Sequence, residues 1–210
     1  MRPVRIYYNK TGKLKYISHL DINRVMLRMI RRGKIDVWFT EGFHQHPYVN
    51  FALPLSLGFE SESEAVDMRI NDDMTNDEIM KRLSAVAPDG MEITAVCDPI
   101  KKFSEIAYAD FYIVLKGECV KPLNDFLSQP QIIVEKTTKK GGIKQIDLKE
   151  KIVQYSVSEE NGDTALLITL PAGTQENINP NLVLAAFSDD LSIKRVVRRA
   201  IYDSEMNIFA

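Results

Sequence analysis

The chain has 210 residues, enough for one large domain or two small ones that each bury a core. Lys plus Arg (27) nearly balances Asp plus Glu (29), which excludes a uniformly basic nucleic-acid protein but leaves room for a local basic patch. Two cysteines, Cys97 and Cys119, rule out a disulfide framework, a four-cysteine zinc site and a self-contained cysteine-ligated iron–sulfur cluster.

The opening residues Met1-Arg-Pro-Val-Arg-Ile-Tyr-Tyr lack the apolar run of a signal peptide. The longest stretch free of Asp, Glu, Lys and Arg, Gly42 to Phe59, is broken by Pro47 and Pro54 and does not read as a membrane span. The expectation is a reduced, cytoplasmic protein.

The first half reads as strand, helix, strand, strand, helix, strand. Val4 to Asn9 is rich in strand formers and runs into the turn signal Asn9-Lys-Thr-Gly12. Ser18 and Asp21 have the spacing of a capping box, Ile22, Val25, Met26, Met29 and Ile30 recur on one helical face, and Gly33 stops the helix. Tyr48 to Leu53 and Glu64 to Ile70 are strand candidates; in the second, Val66, Met68 and Ile70 alternate with Asp67 and Arg69. Thr75 and Glu78 start a second helix carrying Ile79, Leu83 and Val86 on one face, and Met91 to Cys97 closes the set.

The second half repeats the order with additions. Strands are expected at Phe111 to Leu115 and Gln131 to Thr138, around a short helix from Lys121 to Leu127. Val153 to Ser158 and Ala165 to Leu170 flank Asn161-Gly162, a strong hairpin signal. Asn179-Pro180 caps a helix through Phe187, and Ile193 to Ile201 is the last strand. The predicted class is α+β, with two tandem ferredoxin-like βαββαβ sandwiches on antiparallel sheets, over residues 1–100 and 107–210.

Charge is unevenly spread. Residues 1–35 hold ten basic residues and one acid, Asp21, whereas residues 60–78 hold eight acids against Arg69. Arg24, Arg28, Arg31 and Arg32 fall within roughly 100° on the outer face of the first predicted helix. Forked guanidiniums in such a cluster suit phosphates, and Tyr7, Tyr8 and Tyr16 lie near enough in sequence to stack on bases. Lys194-Arg195-Val-Val-Arg198-Arg199 is a weaker echo. Gly141-Gly142 between Lys139, Lys140 and Lys144 reads as a basic loop tip, since no P-loop Lys-Ser/Thr pair follows.

All three histidines lie in the first 46 residues. His44-Gln-His46 can offer two imidazoles to a metal, with His19 or Glu41 completing the set, but no second ligand pair follows at a diagnostic spacing. Otherwise the loop histidines are exposed or hydrogen-bonded, and His19 packs at its helix start. His19 there lies at the positive end of the helix dipole, beside any phosphate bound at that end. In a βαββαβ unit the loop Glu41 to Pro47 can come back beside that helix start, so His19 and His46 are expected either to share one site or to sit at opposite ends of the domain.

Tyr7-Tyr-Asn-Lys-Thr-Gly-Lys-Leu-Lys-Tyr-Ile-Ser-His-Leu-Asp21, Arg24, Arg28, Glu41-Gly-Phe-His-Gln-His-Pro47 and Leu53-Pro-Leu-Ser-Leu-Gly58 together resemble the DUF2344 family of radical-SAM-associated proteins. The family loop more often reads Gly-Phe-Asn-Pro-His-Pro; Gly42, Phe43, His46 and Pro47 match it and His44 and Gln45 depart, which weakens the His-x-His metal reading. The resemblance implies a radical SAM partner that carries the iron–sulfur cluster and S-adenosylmethionine, with no cofactor in this chain. The opening strand and Ser-His-Leu-Asp helix are also similar, at the level of fold, to ferredoxin-like RNA-processing proteins of CRISPR systems.

The expected function is an accessory that binds RNA, such as tRNA or rRNA, or another anionic substrate. Arg24, Arg28, Arg31 and Arg32 would hold phosphates; Tyr16, His19 and His46 would line the site, with Asp21 and Glu41 orienting it. The rivals are a metal-independent ribonuclease using His19 or His46, and a protein-interaction module docking through the acidic 60–78 stretch.

Overall fold

The structure is a computed structural model describing residues 1–137, 143–188 and 190–209. It is α+β, with four α-helices and antiparallel sheets among the described residues. The chain divides into two compact units, Met1–Phe103 and Ser104–Phe209.

The first unit runs β1 (Arg2–Lys10), a 3₁₀ turn (Gly12–Tyr16), α1 (His19–Arg32), β2 (Val49–Phe51), β3 (Glu60–Ile70), α2 (Asn76–Ser84) and β4 (Met91–Cys97). Its strands lie in the order β4-β1-β3-β2. Every neighbouring pair is antiparallel, with Ile6 opposite Val66 and Val96 and Phe51 also opposite Val66. Both helices start where the capping signals place them: the Ser18 hydroxyl accepts from the Asp21 amide and the Thr75 hydroxyl from that of Glu78. Val4, Ile6 and Tyr8 of β1 and Val66, Met68 and Ile70 of β3 pack in one core with Met26 and Ile30 of α1 and Ile79 and Leu83 of α2. Each such burial contributes about 2 kcal/mol of transfer free energy.

The second unit runs β5 (Ile106–Leu115), α3 (Val120–Leu127), β6 (Ile133–Thr137), β7 (Ile143–Asp147), β8 (Gln154–Glu160), β9 (Asp163–Pro171), α4 (Pro180–Phe187) and β10 (Ile193–Asp203). Its sheet order is β10-β5-β9-β8, again antiparallel throughout. The turn between β8 and β9 places Asn161 and Gly162 at φ 54° and 80°, the left-handed pair a tight hairpin needs. β6 pairs with β7 as a separate hairpin, and the sequence reading contains no strand at Ile143. α3 and α4 meet through Phe126 and Phe187, with ring centroids 5.4 Å apart. The predicted loop tip at Lys139 to Gly142 lies outside the described residues.

Candidate nucleic-acid interface

α1 is strongly two-sided. Ile22, Met26, Met29 and Ile30 are buried, while Arg24, Arg28, Arg31 and Arg32 are exposed on the other side. At its start the Ser18 hydroxyl accepts from the Asp21 amide at 3.2 Å and donates to Asp21 Oδ2 at 2.7 Å. Arg24 Nη1 donates to Asp21 Oδ1 at 2.9 Å. Together the Ser18 hydroxyl and the Arg24 guanidinium hold the Asp21 carboxyl below its usual range. Asp21 therefore supplies the helix start with its own anion and occupies Arg24.

That leaves Arg28, Arg31 and Arg32 with no ion pair among the described residues. Arg31 and Arg32 stand three and four residues beyond Arg28, so each neighbours Arg28 on the helix surface. Like charges at this spacing repel mildly, and a phosphate chain lying across them relieves that repulsion.

The segment before α1 is anchored from three sides. Thr11 N donates to Gly90 O at 2.8 Å, Gly58 N donates to Lys15 O at 2.7 Å, and Leu14 is buried. Gly90 has φ +86°, and a Cβ there would lie 2.4 Å from the Thr11 carbonyl oxygen, so this approach requires glycine. Tyr16 emerges from the segment 68% exposed, with Lys15 Nζ 5.3 Å from its ring centroid. Leu20 is 69% exposed one turn before Arg24. His19 is half-buried and meets Phe51 edge-to-face, with ring centroids 5.2 Å apart.

Beneath this segment lies a polar layer that the sequence reading missed. Lys10 is only 2% exposed, and its Nζ donates to the Ile17 carbonyl at 3.3 Å. Glu60 is also buried; its Oε1 accepts from Gly12 N at 3.3 Å and lies 3.6 Å from Lys15 Nζ. Glu64, opposite Tyr8 in register, is buried too. The signal was present: Val4, Ile6, Tyr8 and Lys10 alternate along β1, which puts a lysine on the core face.

Glu41 and His46 belong to a different place. The backbone from Val37 to Tyr48 forms a narrow hairpin, bridged at Phe39 and Pro47 and joined to β3 where Val37 meets Ile70. His46 Nδ1 lies 3.1 Å from both Thr40 Oγ1 and the His44 carbonyl oxygen. Glu41 and His44 are exposed. His19, by contrast, meets Phe51 opposite Val66, four residues and about 13 Å back along β3 from Ile70. The predicted set is thus spread out: Tyr16, His19, Asp21 and Arg24 at the start of α1, Arg28, Arg31 and Arg32 toward its end, and Glu41 and His46 on the hairpin. No hydrogen bond or ring contact joins His19 to His46 among the described residues.

The other charge runs disperse. Lys194 pairs with Asp163, Arg198 is buried, and the Arg199 guanidinium lies 4.3 Å from the Tyr112 ring centroid. In the acidic stretch Glu60 and Glu64 are buried, Asp67 takes Arg5 in a two-pronged bond at 2.7 and 2.9 Å, and Glu78 pairs with Arg82 at 2.7 Å. Among the described residues no group of three His, Cys, Asp or Glu is placed to hold a metal ion.

A family described as uncharacterised proteins conserved in bacteria (DUF2344) matches residues 3–180. The chain belongs to the DUF2344 family. The match spans both the α1 face and the hairpin, and reaches to the start of α4. No curated protein matches this DUF2344 chain. Among solved structures it is similar to a chain of a crystal structure of a Cbf5-Nop10-Gar1 complex, with TM-score 0.51 and 10% identity over 93% of this chain and 47% of that one. The DUF2344 chain thus spans about half the length of that relative, and the likeness concerns the α+β fold alone. An unknown protein from Galdieria sulphuraria aligns over 91% of this chain and 96% of its own at 10% identity, with TM-score 0.27. No helix is long and apolar enough to cross a membrane among the described residues.

Proposed function

We propose that this chain is a cytoplasmic accessory protein, built from two tandem ferredoxin-like sandwiches, that binds RNA on the outer face of α1 and presents it to a radical SAM partner. The fold part of this reading is supported by the strand orders. β4-β1-β3-β2 with the element order βαββαβ agrees with a ferredoxin-like arrangement, and so does β10-β5-β9-β8 with the β6–β7 hairpin inserted.

The observation that carries the binding reading is the exposed trio Arg28, Arg31 and Arg32, without ion pairs among the described residues and on the same helix that Tyr16 precedes. Arginine forks grip phosphate oxygens, and an exposed tyrosine offers a ring to an unpaired base. His19 and Asp21 are positioning residues in this account: His19 braces the helix start against Phe51 and Asp21 orients Arg24. The ribonuclease alternative would use His19 or His46 singly as general acid or base, since the two rings have separate partners. The radical SAM partner follows from the family resemblance, with the cluster and S-adenosylmethionine on the partner.

Ultraviolet cross-linking in the native cell tests the reading. The wild-type chain is expected to cross-link RNA, and Arg28→Glu with Arg31→Glu to lose most of that signal. Equal RNA recovery from both proteins contradicts it. For the partner, affinity purification of the tagged chain is expected to recover a protein with a three-cysteine cluster motif, and its absence contradicts that part alone.

A further inference from the structure

The hairpin that follows α1 ends in a side chain that the rest of the described chain leaves uncovered: Phe43 is fully exposed. Its stem is firmly built. Trp38 N donates to Arg69 O at 2.8 Å, Tyr48 N to Trp38 O at 2.9 Å and Thr40 N to His46 O at 2.8 Å. The Arg69 guanidinium lies 5.3 Å from the Trp38 ring centroid and 4.9 Å from that of Tyr48. Higher up, the backbone N–H of His46 donates to Thr40 Oγ1 at 3.3 Å. At the tip Gly42 adopts φ +116°, a conformation that favours glycine. An aromatic ring held out on such a stem loses little conformational freedom on binding and carries a large apolar area into a complex.

The charge around it points to the kind of complex. From Asp36 to Tyr48 there are two acids, Asp36 and Glu41, both exposed, and no Lys or Arg. Glu41 stands two residues from Phe43, where it repels a phosphate backbone and attracts a cationic rim. We infer that the Phe39–Pro47 hairpin is a docking finger for a protein partner, with Phe43 seated in an apolar socket whose Lys/Arg rim meets Glu41. Buried aromatic anchors of this kind dominate interface energetics. The inference rests on the hairpin's own residues and holds whether or not the α1 arginines bind RNA.

A benzophenone amino acid at position 43 of the full chain, with one at exposed Lys81 as control, reports what the finger touches in the native cell. The expected result is one protein cross-linked from position 43 and not from 81, through a peptide that joins apolar residues to Lys or Arg. That protein, purified and titrated with the chain, is expected to bind Phe43→Ala at least tenfold more weakly. Phe43→Leu should lose less, and Glu41→Lys should lose more at low salt than at high salt. Because the ring is fully exposed, both Phe43 variants should keep the wild-type unfolding midpoint. Cross-links to nucleic acid or to a second copy of this chain, no cross-link at all, or binding of Phe43→Ala within twofold of wild type overturns the inference. The RNA cross-linking of the α1 variants is read separately, so the two proposals fail independently.

Discussion

Lys10 ends a row of core-facing residues, and the site above it depends on that burial. Its ammonium ties the Ile17 carbonyl just before α1, beneath Tyr16 and His19. Removing it takes the donor from the part-buried Ile17 carbonyl and leaves the volume of a buried side chain empty. Lys10→Ala is expected to lower stability by about 2 kcal/mol in urea unfolding at neutral pH. In the second unit Tyr202 donates to Asp110 Oδ2 at 2.7 Å, and Thr169 donates to Asp110 Oδ1 at 2.5 Å. Burial, and then the bond to Asp110, pushes the Tyr202 hydroxyl up to about 12. A raised folded-state value means that the native state holds its proton more tightly than the unfolded chain, whose tyrosine titrates near 10. The stabilisation is therefore complete below pH ~10 and lost as pH rises toward 12. Thermal unfolding across that range should show a falling midpoint in the wild type and a shallower fall in Tyr202→Phe.

At the scale of elements, local chemistry was legible and long-range pairing was not. The Ser18 and Thr75 caps, the Gly33 stop and the Asn161-Gly162 turn are encoded within three or four residues, and each sits where its pattern says. The hairpin from Val37 to Tyr48 left no such mark. Its strands contribute single bridges, and its stem is fixed by the Arg69 carbonyl and guanidinium, more than twenty residues away. β7 escaped for a related reason: Ile143-Lys-Gln-Ile-Asp147 lacks strict alternation and is a strand because it pairs with β6. The candidate arginines were legible from helical periodicity; the Asp21–Arg24 pair sits at a spacing that allows it, and the rotamers decide that Arg24 takes it. The buried glutamates in the acidic stretch show the same limit, since a charge count does not say which side of a strand each residue takes. Gly90 offers a test of how the elements hold the site. Adding a Cβ pushes on the Thr11 carbonyl and with it the turn carrying Tyr16. Gly90→Ala is expected to cost about 2 kcal/mol in denaturant unfolding, and to weaken RNA binding by more than its loss of folded protein explains.

For the whole molecule, a net charge of −2 means that no general attraction draws this chain to a polyanion. On the proposed reading, RNA binding comes from a local face and has the salt dependence of a few phosphates. The α1 trio would provide about three, and each contact to single-stranded nucleic acid contributes roughly 0.7 to the log–log slope of affinity against salt. Alanine at these positions keeps a strong helix former on an exposed face, so the helix survives the change. The most direct measurement is the slope of log Kobs against log salt for single-stranded RNA, with wild type and Arg28→Ala/Arg31→Ala/Arg32→Ala compared at matched folded fraction. The account predicts a wild-type slope steeper than that of the triple variant by roughly 2, together with weaker binding by the variant at every salt concentration. Equal slopes in the two proteins would contradict it.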